Sequence, residues 1–326
     1  MTERHGKILE SLAAAQRIEV STLANILEVS QVTVRKDLDQ LEDMGLIRRE
    51  HGFALFGSMD DVGRRMAIHY EVKRRIARAA AALVDEGETV MIESGSCCAM
   101  LAEELANTRK DVTIVTNSVF IADHIRHAPC CKIILLGGEY QPNSQVTVGS
   151  ITRHTAQIFM SDKFFIGTDG FNERCGFTGK DHMRSQTVRD IAEQVRQVII
   201  LTESEKFLHQ GVERTILTED VSQVFTDDRI PPDKEAFLQR MGVAVYKVLS
   251  SVSGEASSLP HVISTVRPAT AVAPLHEQPA GACGAGGKNE PAKQTGLQNR
   301  GSEARLPGLP DGPPRIKLVQ YSSEKP

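Results

Sequence analysis

Hydrogen-bonding and cationic side chains are concentrated between residues 31 and 36. Gln31 and Thr33 can hydrogen-bond the edges of nucleotide bases, and Val32 can contact a thymine methyl group. Arg35 and Lys36 can bind phosphate oxygens or guanine. The same residues also suit an ordinary solvated helix face, so this segment alone leaves both interpretations open.

A predicted helix that begins at Ser30 and ends at Gly45 positions these side chains. The Ser30 hydroxyl can accept hydrogen bonds from the free N–H groups of a helix start, and Gly45 suits the left-handed residue that ends a helix. Val34, Leu38 and Leu41 recur at helical spacing and form one apolar stripe. The helix is therefore expected to bury that stripe and to expose its polar face.

The surrounding residues predict a helix-turn-helix. Ile8, Leu9 and Leu12 mark a first helix, and residues 21–27 mark a second, which Ser21 is expected to cap. Residues 46–56 form two short extended runs around a His-Gly turn and predict a β-wing. Two short helices, a turn and a longer capped helix are the arrangement that places a recognition helix in the major groove.

The first 55 residues resemble the N-terminal signature of the DeoR family of bacterial repressors. The matching residues are Arg4-His5, Ile8-Leu9, the run from Val29 to Leu38, Leu41, Gly45-Leu-Ile and His51-Gly52. The resemblance implies a winged helix-turn-helix that binds operator DNA. The residues expected to contact DNA are Ser30, Gln31, Val32, Thr33, Arg35, Lys36, Arg48 and Arg49.

Charge argues against non-specific coating of nucleic acid. The 326-residue chain has a formal net charge of −4, and residues 1–55 carry 7 Lys and Arg against 9 Asp and Glu. DNA binding therefore requires the cations to be concentrated where phosphates lie, at Arg35, Lys36, Arg48 and Arg49.

The predicted compartment is the cytoplasm, because the sequence shows neither a membrane-length apolar run nor a signal-peptide core. Six cysteines occur, and four of them form the adjacent pairs Cys97-Cys98 and Cys130-Cys131. Neighbouring side chains of a strand point to opposite faces, and neither pair has zinc-ligand spacing. The cysteines are expected to be reduced and buried, and neither a metal site nor a cofactor is predicted.

Helical and extended patterns alternate through residues 72–249. The predicted strands cover residues 88–93, 112–116, 131–136, 163–166, 197–201, 223–226 and 243–248. Alternation of this kind predicts an open α/β sheet with mostly parallel strands. Ligands of such sheets bind outside the carboxyl ends of the strands.

Polar residues and glycines follow five consecutive strands of this sheet. The five segments are Glu93-Ser-Gly-Ser-Cys-Cys98, Thr116-Asn-Ser118, Gly137-Gly-Glu139, Gly167-Thr-Asp-Gly-Phe171 and Thr202-Glu-Ser-Glu-Lys-Phe207. In the first segment a glycine and hydroxyls precede a predicted helix N-terminus, which is the composition of an anion seat. An ordinary tight strand-to-helix turn has the same composition and remains the alternative.

These segments resemble the effector domain of the DeoR family, which is similar in fold to ribose-5-phosphate isomerases and amino-sugar-phosphate deaminases. The resemblance implies a phosphorylated sugar as effector, with the first loop and Lys206 on the phosphate and Asp169 on sugar hydroxyls. Cys97-Cys98 stand where the family usually has threonines, so hydroxyl donors are lost there. The expected effector residues are Ser94, Gly95, Ser96, Cys97, Asn117, Gly137, Gly138, Asp169 and Lys206.

The predicted domains are a winged helix-turn-helix at 1–57, a linker at 58–71, an isomerase-like α/β effector domain at 72–249 and a disordered tail at 250–326. Ten of the 14 prolines lie between Pro260 and Pro326, where Tyr321 is the one aromatic residue. Such a segment buries too little apolar surface to offset its ordering entropy.

The leading hypothesis is a repressor of a carbohydrate-utilisation operon that acts as a homo-oligomer, a dimer or tetramer, on repeated half-sites. A sugar-phosphate isomerase or deaminase with a DNA-binding head is the alternative, because Glu93, Asp169 and Glu203 could supply a catalytic base. A metal-sensing regulator is a weaker alternative, because no Cys/His cluster has ligand spacing.

Overall fold

The computed structural model describes residues 2–56, 62–128 and 130–250 and a short strand at 263–264. The helices of this part of the chain are α1 Glu3–Ala15, α2 Val20–Ile26, α3 Gln31–Asp43, α4 Val62–Ala67, α5 Tyr70–Ala81, α6 Ser96–Thr108, α7 Val119–His124, α8 Ser150–Ala156, α9 His182–Ala192 and α10 Pro232–Arg240. None of them is both long and apolar enough to span a membrane. Except for residues 250 and 263–264, the tail predicted to be disordered lies outside the described residues.

The strands form one large sheet, two small sheets and a hairpin. Their bounds are β1 Arg17–Glu19, β2 Arg48–Glu50, β3 Phe53–Leu55, β4 Thr89–Ile92, β5 Val112–Thr116, β6 Cys131–Leu135, β7 Glu139–Gln141, β8 Val146–Val148, β9 Lys163–Ile166, β10 Gly170–Asn172, β11 Gly176–Gly179, β12 Gln197–Leu201, β13 Glu213–Ile216, β14 Gln223–Asp227, β15 Ala244–Val248 and β16 Ile263–Ser264. Short 3₁₀ turns lie at Ser204–Leu208 and Thr218–Asp220.

Residues 2–56, hereafter the N-terminal domain, confirm the predicted winged helix-turn-helix. The Ser30 hydroxyl accepts the Thr33 N–H at 3.1 Å at the start of α3, and Gly45 has the left-handed φ of 71° expected after its end. The prediction that Ser21 caps the second helix is wrong. That helix begins one residue earlier, after Glu19, because the unpredicted strand β1 leads directly into it. Strand β1 joins the two wing strands in the order β1-β3-β2.

The large sheet confirms the predicted parallel α/β architecture. Its strand order is β16-β15-β14-β12-β9-β4-β5-β6, and all pairs are parallel except β15 with β16. The first strand of the sheet, β4, lies between β5 on one side and β9 on the other. The crevice where an open α/β sheet binds ligands is therefore expected outside the ends of β4 and β9.

Two hydrophobic clusters cover the two faces of the large sheet. In β9 the adjacent residues Phe164 and Phe165 are both fully buried, the first in one cluster and the second in the other, because successive strand side chains point to opposite faces. Strands buried on both faces read as continuous apolar runs, as this one does. The cluster containing Phe165 extends without a break through Met66 of α4 to Leu41 of α3.

Helix α4 connects the N-terminal domain to the α/β domain (residues 68–250) and falls within the segment predicted to be a linker. It packs against α1 on one side and against α6 on the other. Val62, Met66 and Ala67 are fully buried. Gly63 lies against the backbone of Leu46, where a Cβ atom would come within 2.6 Å of the Leu46 carbonyl oxygen.

Five cysteines fall in the part of the chain that the structure describes, and all five are free. Cys97 and Cys98 are buried as expected, whereas Cys130 is exposed. Burial was therefore wrongly predicted for Cys130, and Cys131 and Cys175 are only half-buried. Cys130 immediately precedes β6, which is an edge strand of the large sheet.

Candidate functional site

A cavity of about 250 Å³ opens at the carboxyl ends of β4, β9 and β12. Its walls come from the loop after each of these strands, from α4 and α5, and from the hairpin that contains β11. The cavity therefore lies at the point where the strand order reverses, as the rule for open α/β sheets predicts.

The N-terminus of α6 forms one wall of the cavity. Gly95 is the residue before the helix. Its backbone packs closely against that of Gly167, because a Cβ atom on Gly95 would lie 3.1 Å from the Gly167 Cα. Ser96 and Cys97 open the helix and line the cavity. The first N–H groups of a helix have no partner within it, so this end can bind an anion.

Glu93 already occupies part of that anion seat. Its Oε2 accepts the N–H of Gly95 at 2.8 Å and the N–H of Gly167 at 3.3 Å. Its Oε1 accepts the hydroxyl of Ser94 at 2.5 Å. A phosphate can therefore use the helix N–H groups beyond Gly95, while Glu93 holds the two loops together.

The thiols at the α6 N-terminus are neutral at physiological pH. Burial raises the pKa of Cys97 to about 12 and the pKa of Cys98 well above its usual value. The negative charge of Glu203 adds to the rise in the pKa of Cys97, and the positive charges of Lys73 and Lys206 oppose it. Both lysines line the cavity. No thiolate therefore repels an anion at this helix end.

Both lysines are paired with carboxylates of the loop after β12. Lys73 Nζ lies 2.9 Å from Glu203 Oε2, with both side chains almost fully buried. Lys206 Nζ lies 3.0 Å from Glu205 Oε1, and both of these side chains are partly exposed. His69, Glu203 and Glu205 have donor atoms within 4.8 Å of one another, the spacing of metal ligands. Because a lysine already neutralises each carboxylate, the cluster does not have the excess negative charge that a divalent cation needs.

Arg65 of α4 reaches the same cavity and differs from the lysines. Its Nε and Nη2 atoms are buried and have no hydrogen-bond partner among the described residues. Its charge also acts to lower the pKa of Cys98, although burial is the dominant influence and raises that pKa. A guanidinium group with unpaired buried donors beside a helix N-terminus is a site for an anion that the protein itself does not supply.

The opposite wall carries hydroxyl-binding groups. Asp169 follows β9 and accepts the backbone N–H of Lys180 at 3.0 Å, which leaves further lone pairs of its carboxylate available. Lys180, Asp181 and Arg184 line the same side. This wall can bind the polyhydroxyl part of a ligand whose anionic group lies at α6.

The polar face of α3 is exposed on the N-terminal domain. Val32 is 60% exposed, and Gln31, Arg35 and Lys36 are also exposed. Thr33 is half-buried, and its hydroxyl pairs with that of Ser30 at 2.9 Å. Arg35 Nη2 donates to Gln31 Oε1 at 3.2 Å, so these two side chains share one patch.

The wing supplies two further arginines beside this face. Arg48 is exposed. The guanidinium of Arg49 pairs with Asp39 of α3, and the backbone N–H of Arg49 donates to the Glu42 carboxylate. An exposed ion pair contributes little, about 0–1 kcal/mol, so Arg49 can exchange Asp39 for a phosphate.

The chain matches two family models. One is described as the DeoR-like helix-turn-helix domain and matches residues 4–58, and the other as the DeoR C terminal sensor domain and matches residues 68–228. The chain belongs to the DeoR family. It is a DNA-binding transcriptional regulator whose α/β domain is the family's sensor domain.

Curated relatives of this DeoR-family protein are similar over most of their length. The glycerol-3-phosphate regulon repressor of Escherichia coli (strain K12) is 29% identical over 69% of this chain and 90% of its own length. The HTH-type transcriptional repressor GlcR of Bacillus subtilis (strain 168) is 29% identical over 74% of this chain and 94% of its own. The HTH-type transcriptional regulator GolR of Listeria innocua is 27% identical over 70% of this chain and 91% of its own.

Solved structures align only loosely with this DeoR-family chain. Ribose 5-phosphate isomerase A of Methanocaldococcus jannaschii aligns with a TM-score of 0.31 and 15% identity, over 43% of this chain and 55% of that one. The full-length sorbitol operon regulator SorC from Klebsiella pneumoniae aligns with a TM-score of 0.32 and 9% identity, over 68% of this chain and 94% of that one. The order of the strands in the large sheet defines the fold.

The cavity at the carboxyl ends of β4, β9 and β12, hereafter the sensor cavity, contains five of the nine residues expected to bind the effector. These are Gly95, Ser96, Cys97, Asp169 and Lys206. Ser94 is buried against Glu93, and Asn117 is buried with its amide donating to the Thr147 carbonyl at 3.0 Å. Gly137 accepts the Thr152 hydroxyl at 2.8 Å, and Gly138 packs against Thr152 and the Val148 carbonyl oxygen.

The order of the strands explains why three of the other four expected residues lie outside the cavity. Asn117 and the two glycines follow β5 and β6, which lie on the far side of β4 from the cavity. Sequence reasoning missed Arg65, Lys73 and Arg184, which reach the cavity from helices rather than from strand ends. The adjacent arginines Arg64 and Arg65, in the segment predicted to be a linker, were the sequence feature that could have indicated an anion-binding residue there.

Proposed function

We propose that this DeoR-family regulator represses a carbohydrate-utilisation operon and that a phosphorylated sugar bound in the sensor cavity controls it. The observation that carries the proposal is the Arg65 guanidinium, whose Nε and Nη2 are buried without a partner among the described residues. It stands in a cavity that also contains a helix N-terminus and Lys206. Two of the relatives' names, those of the glycerol-3-phosphate regulon repressor and GlcR, support repression as the mode of control.

In this proposal the phosphate lies against Arg65, Lys206 and the N–H groups of α6, and Asp169 accepts from sugar hydroxyls. Hydrogen bonds that involve charged groups contribute about 1.5–3 kcal/mol each. A free sugar without the phosphate would leave the Arg65 donors unpaired and should bind far more weakly.

The test is calorimetric titration of the full chain with glucose 6-phosphate, fructose 6-phosphate and glycerol 3-phosphate, and with glucose, fructose and inorganic phosphate. We expect at least one sugar phosphate to bind, its unphosphorylated counterpart to bind at least tenfold more weakly, and Lys206→Met to weaken binding by roughly 10- to 150-fold. Equal affinity for a sugar and its phosphate would contradict the proposal.

We further infer that the sensor domain returns its ligand unchanged. The relatives that match along most of this chain are transcriptional regulators. The strand-end carboxylates Glu93 and Glu203 are also committed to partners within the protein. Incubation with the bound sugar phosphate, followed by ³¹P and ¹³C NMR, should show no isomerised or deaminated product, whereas steady turnover would favour the enzyme alternative.

We also propose that the exposed face of α3 contacts operator bases and that Arg35, Lys36, Arg48 and Arg49 bind phosphates. One such domain buries too little surface for tight, selective binding, so a homo-oligomer should place several domains on repeated half-sites. Light scattering of the full chain at micromolar concentration should give at least the mass of a dimer. A monomer with and without operator would contradict this part of the proposal.

A further inference from the structure

Helix α4 touches both functional parts of the molecule. It lies between α1 of the N-terminal domain and α6 of the sensor domain, whose N-terminus lines the cavity. Val62, Met66 and Ala67 are fully buried in the hydrophobic cluster that both domains share. Such a short, tightly packed helix moves as a unit, because packed interiors do not deform continuously.

One face of α4 senses the cavity. Arg65 reaches into it with buried guanidinium nitrogens that have no partner among the described residues. An anionic ligand would give these donors partners that the protein alone does not. The energy of α4 in its present position therefore depends on whether the cavity is occupied.

Another face of α4 touches the backbone that follows α3, the recognition helix of the winged helix-turn-helix. A Cβ on Gly63 would lie 2.6 Å from the carbonyl oxygen and 3.0 Å from the Cα of Leu46, so the two backbones are in contact. Leu46 is three residues beyond the end of α3 and is fully buried. A displacement of α4 is therefore transmitted directly to the backbone that joins the recognition helix to the wing.

The C-terminal end of α3 is also held by His124, the last residue of α7 in the sensor domain, and by Arg126 just after it. Arg126 Nη2 donates to the Asp43 carbonyl at 2.9 Å, and His124 Nδ1 lies 3.3 Å from the Met44 carbonyl oxygen. A cation such as the Arg126 guanidinium stabilises the C-terminus of a helix. The sensor domain thus holds the recognition helix near its C-terminal end, so movement of α4 relative to α7 would tilt the helix.

We propose that α4 transmits occupancy of the cavity to the recognition helix, with Arg65 as the sensing residue and the Gly63–Leu46 contact as the joint. This proposal rests on the proposed function, since it requires an anionic ligand at Arg65. The ligand changes operator affinity by its differential affinity for the two positions of α4. Arg65 therefore has a second role beside binding, which Lys206 lacks because it stands on the loop after β12.

The first experiment opens the joint in the full chain without any ligand. Gly63→Ala inserts a methyl group against the Leu46 backbone, and Gly242→Ala is the matched control. Gly242→Ala should also lower the free energy of unfolding, because Gly242 has a left-handed φ of 85°, but nothing lies within 4 Å of the added Cβ atom. Binding is measured by fluorescence anisotropy to a duplex that the wild-type chain selects from a random library. We expect Gly63→Ala to change the operator Kd by about 5- to 150-fold, the usual range of allosteric coupling, and Gly242→Ala to leave it unchanged.

The second experiment separates sensing from binding. The probe is the sugar phosphate that binds the wild-type chain most tightly, titrated to saturation into each protein–duplex complex. Arg65→Met and Lys206→Met should both weaken ligand binding. At saturation Lys206→Met should recover the full wild-type shift in operator Kd, whereas Arg65→Met should recover little of it.

The outcomes distinguish the two proposals. If no compound of the panel binds the wild-type chain, the proposed effector is wrong, and the ligand-free comparison of Gly63→Ala with Gly242→Ala still decides the joint. If Gly63→Ala binds the duplex as the control does, the joint is refuted. If Arg65→Met shows the full shift at saturation, Arg65 is a binding residue and α4 is not the transmitting element.

Discussion

Replacing Arg65 with methionine should make the ligand-free chain more stable, although it removes a charged residue. Buried polar groups that have no partner cost about 1–3 kcal/mol. Since only Nε and Nη2 of Arg65 are buried and unpaired, and the residue as a whole is half-buried, the low end applies, about 1–2 kcal/mol. Methionine keeps an apolar stem of similar length. The expected gain corresponds to a rise in Tm of roughly 2–8 °C for a domain of this size.

The assay is urea unfolding followed by circular dichroism, in a buffer free of phosphate and sulfate so that no anion occupies the cavity. Arg64→Met is the control, because it removes the same charge from the neighbouring residue, which has a partner of its own. We expect Arg65→Met to raise the free energy of unfolding and Arg64→Met to leave it unchanged or lower it. Added phosphate should stabilise the wild-type chain more than Arg65→Met, because a ligand stabilises the state that binds it. A loss of 1 kcal/mol or more in Arg65→Met would refute the argument that its donors are unsatisfied.

Three further predictions concern other parts of the chain. Thr33→Ala should relax base preference by about 1–3 kcal/mol at one operator position, whereas Arg35→Ala should weaken binding to all duplexes and lower the salt slope if it contacts phosphate. Anisotropy titrations of each variant against single-base operator variants check both predictions. If both variants bind every duplex with the wild-type affinity, neither residue belongs to the interface. Lys73→Met should lower the free energy of unfolding by up to about 3 kcal/mol, because it removes the ammonium group from the buried Glu203 carboxylate and leaves the contact with His69. Lys73→Met with Glu203→Leu should recover most of that loss in urea unfolding. Burial alone would raise the pKa of Glu103, but the hydrogen bond and charge of His124, together with further positive charge, outweigh burial and hold that pKa at about 2. Because the folded pKa is depressed, the stabilisation is present above the ordinary pKa near 4.5 and is lost as pH falls from there towards 2. Glu103→Gln should therefore flatten the fall in stability over this range by up to about 3 kcal/mol, and parallel curves for the two proteins would contradict the assignment.

The recognition helix could be predicted because its signals are local. The Ser30 cap, the stripe of Val34, Leu38 and Leu41, and Gly45 act within a few residues of one another, and the structure places each of them as expected. Strand β1 could not be predicted in this way. Its three residues are too few to show a period, and they are extended only because β3 pairs with them.

The sensor cavity was only partly predictable because the sequence shows where strands end but not how they are ordered. The rule that ligands bind at strand ends selected Asn117 and Gly137 as well as Asp169, yet the first two belong to strands on the wrong side of β4. Glu93 was expected as a possible base, but its carboxylate instead bridges the N–H groups of Gly95 and Gly167. That bridge joins loops 74 residues apart and depends on the pairing of β4 with β9.

The prediction of a linker obscured Arg65. A polar segment between two recognisable domains is normally solvated, and the pattern of residues 62–67 is too short to indicate a buried helix. Only the packing of α4 against α1 and α6 shows that the segment is interior and that one of its arginines is directed at the cavity.

The hydrophobic cluster that runs from Leu41 through Met66 to Phe165 has a consequence for folding. Two domains with separate cores unfold in separate steps, but here removing either part would strip apolar surface from the other. The described part of the chain should therefore melt in one cooperative calorimetric transition. A fragment ending at residue 56 would lack Val62, Met66 and Ala67, which belong to the same cluster, and would tend to aggregate through the apolar surface left exposed. Substitutions deep in the sensor sheet would then abolish DNA binding through loss of folded protein, even where they touch neither the ligand nor the operator.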